Sequence, residues 1–99
     1  MYLVSVRLLG SRAAVAAEAT ALVAAVWREA GEDELVSHVY AQPGGLGLEL
    51  VVFLRAPTIE AAENTTAALV RRGLAAEGLP FGIVHCAVDL LLPDFGGLL

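Results

Sequence analysis

Apolar and polar positions alternate and recur in a way that divides the chain into six segments. Residues 2–9 place Tyr2, Val4, Val6 and Leu8 on one face and Leu3, Ser5, Arg7 and Leu9 on the other, the period of a strand. Gly10 ends it, and Ser11 has the chemistry of an N-cap for a long alanine-rich helix. In that helix Val15, Ala19, Leu22 and Val26 form one stripe, Trp27 sits at its edge and Gly31 is the natural stop. Residues 34–42 predict a second strand, with Leu35, Val39 and Ala41 on one face and Val36, His38, Tyr40 and Gln42 on the other. Pro43-Gly44-Gly45 supplies a turn into a third strand, residues 46–56. Its faces are Leu46, Leu48, Leu50, Val52 and Leu54 against Glu49, Val51, Phe53 and Arg55.

Pro57-Thr58 opens a second helix, with Thr58 as N-cap and Glu60 and Glu63 in the first turn, where the helix dipole favours acids. Ile59, Ala62, Thr66, Leu69, Gly73 and Ala76 make its inner stripe, and Gly78 and Pro80 end it. Residues 81–91 predict a fourth strand, with Val84, Cys86, Val88 and Leu90 inward and Phe81, Ile83, His85, Ala87 and Asp89 outward. Residues 92–99 form an apolar tail without a clear period, and no internal linker divides residues 1–99 into more than one domain.

Two right-handed βαβ crossovers joined by a hairpin have one main compact solution. This β-α-β-β-α-β order resembles the ferredoxin-like plait, which implies an α+β fold: a four-stranded antiparallel sheet in spatial order 4-1-3-2 with both helices on one face. The opposite face is then uncovered. It is expected to carry Leu3, Ser5, Arg7, Val36, His38, Tyr40, Glu49, Val51, Phe53, Arg55, Phe81, Ile83, His85 and Asp89.

Composition sharpens this expectation. Hydrophobic residues make up 58% of the 99 positions and charged residues 17%. Much of the excess is alanine that lets helices pack closely, but Leu3, Val36, Val51, Phe53, Phe81 and Ile83 on the uncovered face, with Phe95, Leu98 and Leu99 in the tail, are not accounted for in that way. A mixed apolar patch of this kind usually meets a partner. The expected partner is a second copy of the chain, in a dimer or higher homo-oligomer, or a small apolar or anionic ligand.

Charge and motifs exclude other classes. All six basic residues are arginine and the net charge is −5, so lysine Schiff-base chemistry is absent and a phosphate-tracking nucleic-acid surface is not expected. One cysteine, Cys86, rules out an internal disulfide or a cysteine-only metal cage. No run of about 20 apolar residues would span a bilayer, and the first residues lack a signal-peptide pattern. A cytoplasmic protein without a cofactor or metal is the expectation.

The candidate acid–base groups are His38, His85 and Tyr40. His85 and Asp89 lie about 13 Å apart along one strand, too far for a triad with Ser5. His38 and His85 fall on opposite edge strands, roughly 14 Å apart, so one chain cannot place both on one metal. Arg7 and Glu49 should meet across neighbouring strands, as an ion pair or as part of an arginine clamp on an anion. Arg55 and Asp89 lie at the other end of the face. Cys86 points inward as a small hydrophobe.

Within the plait, the topology, with Gly10 at the first strand-to-helix turn, resembles ACT-like regulatory domains, which implies an amino-acid ligand at a subunit interface. The composition of the open face resembles that of dimeric α+β-barrel proteins, which implies pairing of two open faces, in some members with cofactorless monooxygenase or cyclase activity. The leading expectation is a small self-associating binding or accessory protein using its open face, strand edges or tail. A small enzyme of secondary metabolism with a histidine acid or base, and an ACT-like small-molecule sensor, are the alternatives.

Overall fold

The structure is a computed structural model that describes residues 1–31 and 35–90. Phe95 and the rest of the apolar tail lie outside the described residues. Six elements follow in the order β1 (Tyr2–Leu9), α1 (Ala16–Ala30), β2 (Val36–Gly44), β3 (Gly47–Leu54), α2 (Ile59–Glu77) and β4 (Gly82–Leu90). The strands form one antiparallel sheet in the order β2-β3-β1-β4, the expected order read from the other edge. This is the ferredoxin-like plait, an α+β fold.

The core lies between the sheet and the two helices. Val4, Val6 and Leu8 of β1 and Leu48, Leu50, Val52 and Leu54 of β3 are almost wholly buried, packed against Leu22 and Val26 of α1 and Leu69 and Val70 of α2. Gly73 lets the helices approach: a side chain there would meet Leu22, Ala25 and Val26. Two ion pairs link the helices on their outer side, Arg28 with Glu77 at 2.9 Å and Arg72 with Glu29 at 3.5 Å. Thr58 caps α2 as expected, its hydroxyl accepting from the Ala61 amide at 3.0 Å. Gly78 closes the helix in the left-handed conformation.

The N-cap of α1 lies four residues after the expected cap Ser11. Val15 is the N-cap and is exposed, not part of the stripe. Glu18 explains the shift. Its carboxylate accepts from the Val15 amide at 3.0 Å and takes both Nη groups of Arg12, at 2.8 and 2.7 Å. The Arg12 guanidinium in turn lies over the Phe81 ring, 5.3 Å from its centroid. With Ala14 also buried, residues 11–15 lie across the end of the core and leave the helix to begin at Ala16. In α2, Ile59 and Ala76 of the expected stripe are exposed, and Val70 and Leu74 are buried in addition.

Each edge strand carries one extra residue near its start. In β2 Val36 pairs with Leu54 but His38 pairs with Phe53, so Ser37 is a bulge. In β4 His85 pairs with Arg7 but Ile83 pairs with Leu8, so Val84 is a bulge. A bulge reverses the facing of every residue before it. Val36, Phe81 and Ile83, expected on the open face, therefore turn to the helix side. Phe81 is part of the core, and Val36 and Ile83 pack against it. Conversely, Leu35 and Val84, expected inward, are exposed, and so, away from the bulges, are Leu46 in the β2–β3 turn and Leu90 at the end of β4.

Candidate binding face

Beyond the bulges, strand pairing sets the open face out as rungs that cross all four strands. The first runs Gln42, Glu49, Arg7, His85 from β2 to β4. The second is Tyr40, Val51, Ser5, Ala87, and the third is His38, Phe53, Leu3, Asp89. Of the expected interface residues, Leu3, Arg7, Val51, Phe53 and Asp89 share this lattice with His38, Tyr40 and His85. Arg55 follows β3 beyond the third rung and is exposed. The apolar surface is therefore narrower than expected: half-buried Leu3, Val51 and Phe53, flanked by exposed rings.

The rings cluster on the β2 side. His38 stacks on Tyr40 with centroids 5.9 Å apart, and Phe53 meets both edge-to-face at 6.0 Å. The first rung is polar. Gln42 donates to Glu49 Oε2 at 3.2 Å, while Arg7 Nη2 stands 3.9 Å from Glu49 Oε1, an ion pair beyond hydrogen-bond length. Gly44 makes room for this geometry, because a Cβ there would lie 3.0 Å from the Glu49 carboxyl carbon. Glu49 thus leans toward β2 and away from His85.

Two hollows lie on the face. One, about 440 Å³, is lined by Tyr40, Ala41, Gln42, Glu49, Val51 and Phe53. The other, about 240 Å³, is lined by Ser5, Arg7, Glu49, Val51 and His85, with the backbone of Val6 and Leu50 as its floor. They adjoin at Glu49 and Val51. The small side chains of Ser5 and Ala87 in the second rung leave the face low between the polar rung and Leu3.

His38 and His85 sit on β2 and β4, the opposite edges, as expected. Ser5 pairs with Ala87, between His85 and Asp89 along β4, and the side chains of Ser5, His85 and Asp89 have no hydrogen-bond partner among the described residues. Cys86 is half-buried on the helix side of β4, and burial pushes its thiol up, away from a reactive thiolate. Among the described residues no group of three or more histidine, cysteine or acidic side chains could hold a metal ion, and no helix is long and apolar enough to cross a membrane.

The sequence pattern places Ser5 on the uncovered face and Gln42 on the same side of its strand as His38 and Tyr40, but gives neither a partner. Their part in the face comes from register, which sets Gln42 beside Glu49 and Ser5 beside Val51. Comparison of the chain with protein-family models, curated proteins and solved structures found no match. What defines the protein is thus its ferredoxin-like fold with an uncovered, mixed apolar and polar sheet face.

Proposed function

We propose that the protein works as a binding or accessory module that pairs with a second copy of itself through the open face. The observation that carries this reading is the strip formed by Leu3, Val51 and Phe53, half-buried within one chain and covered by neither helix. Four strands at ~4.8 Å spacing and eight residues at ~3.3 Å give roughly 500 Å² of flat face per copy. Pairing two faces removes about 1,000 Å² from water, the lower end for a specific contact. The face is also self-complementary in charge. Arg7 stands in the first rung beside Glu49 and Asp89 in the third, so a twofold axis across the strands brings Arg7 of one copy toward the rung that holds Asp89 in the other.

An interface of this size implies a dimer that dissociates on dilution. Sedimentation of the full chain from about 1 µM to about 500 µM should show a monomer–dimer transition, which Val51→Arg abolishes while leaving the melting temperature of the dilute monomer unchanged. A monomer throughout that range overturns the reading. A binding role has more support than proton transfer, because among the described residues no hydrogen bond orients His38 or His85 as a base.

A further inference from the structure

We propose that the open face also carries a ligand site for a planar aromatic carboxylate, with the carboxylate among Arg7, His85 and Ser5 and the ring over Val51 against Phe53 and Tyr40. The polar end is built from donors that make no hydrogen bond among the described residues. The nearest partner of the Arg7 guanidinium is Glu49, at 3.9 Å, and among the described residues neither His85 nor Ser5 has a hydrogen bond. Arg7 and His85 are directly opposed on β1 and β4, and Ser5 follows Arg7 on the same face of β1. All three line the smaller hollow. A guanidinium fork beside a hydroxyl matches the planar, two-oxygen geometry of a carboxylate.

Glu49 would repel an anion, and its placement decides which side of Arg7 the ligand uses. Gln42 and the space above Gly44 hold the Glu49 carboxylate toward β2. The β4 side of Arg7 is thus left to the ligand. From there the low second rung leads past Ser5 and Val51 into the larger hollow, whose walls include the Tyr40 and Phe53 rings. That path crosses two strand spacings, about 10 Å, a fit for a flat two-ring body. The two hollows hold about 240 and 440 Å³, so together they reach the size range of small-molecule sites.

This inference does not need the second copy, and one set of samples tests the two separately. Amide NMR shifts of the full chain are followed with 2-naphthoate and with neutral 2-naphthamide. Naphthoate should move Ser5, Arg7, Val51, Phe53 and His85, and bind at least about tenfold more tightly than the amide. Arg7→Gln should remove that preference, whereas Arg71→Gln, on the helix side, should keep it. Equal binding of acid and amide, shifts mapping elsewhere, or an unaffected Arg7→Gln variant would overturn the site. Sedimentation of the same samples reads association. Because pairing covers Val51 and Phe53, the shifts are read at a concentration where sedimentation shows the monomer: naphthoate-specific shifts there keep the site whether or not a dimer forms on concentration, and their absence overturns it.

Discussion

Strand β3 holds two surfaces of similar raw material with different fates. Leu48, Leu50, Val52 and Leu54 are buried to within 1% under the helices, while their neighbours Glu49, Val51 and Phe53 are only half-buried on the uncovered side. The helix side excludes water from almost every atom, so its stability comes from close packing. The open side keeps polar groups in contact with solvent, and its apolar strip is left to be covered by another molecule. Apolar content alone did not separate the two. Which face receives α1 and α2 did.

The sharpest way to break this contrast is a pair of adjacent substitutions. Leu50→Ala should cost about 2–5 kcal/mol of unfolding free energy, because the cavity it leaves is enclosed, with no effect on association beyond that of instability. Val51→Ala, one residue away, should cost less than about 1 kcal/mol while weakening the dimer. Chemical denaturation and sedimentation read both effects. Equal stability losses for the two would erase the distinction between the faces.

A smaller effect is expected where the covered side holds a polar atom. Thr66 on α2 is fully buried, and among the described residues its hydroxyl oxygen has no hydrogen-bond partner. Thr66→Val keeps the shape and removes the uncompensated group, so it should raise stability by about 1 kcal/mol in denaturant unfolding. A loss of similar size would mean that the hydroxyl is satisfied after all. On the open side, where polar groups meet water, such a replacement gains nothing of the kind.

The smallest effect concerns the rim where Arg12 closes over Phe81. Arg12's hydrogen bonds, and then the Val15 amide, hold the Glu18 carboxyl down to about 2 from its ordinary 4.5. A carboxyl lowered on folding stabilises above its unfolded value, and that contribution is lost as pH falls from about 4.5 toward 2. Glu18→Gln should therefore flatten the acid side of the stability–pH curve in that window. Identical acid slopes for the two proteins would show that this pairing does not form in solution.

Several local features were legible residue by residue. Thr58, Gly31 and Gly78 mark helix ends by their chemistry, and the alternation in residues 2–9 and 46–56 reads out β1 and, within it, β3 at Gly47–Leu54. The errors cluster where two apolar residues adjoin at the start of an edge strand. Leu35-Val36 and Ile83-Val84 fit either register, because alternation cannot say which of two neighbouring apolar side chains is the extra one. Glu18, three residues after Val15, was the sequence signal for the true start of α1.

The sequence by itself determined the six elements, their order and, through the βαβ handedness, the sheet topology, because periodicity and turn chemistry are local properties of the chain. Only the tertiary structure decided which apolar residues remain uncovered. The bulges at Ser37 and Val84 turn Val36, Phe81 and Ile83 into the core, and pairing across strands brings Arg7, Glu49, Gln42 and His85 into one rung. The physical reason is that a side chain's facing follows from its register against a partner strand. That register is settled by packing between segments distant in sequence, which no local pattern encodes.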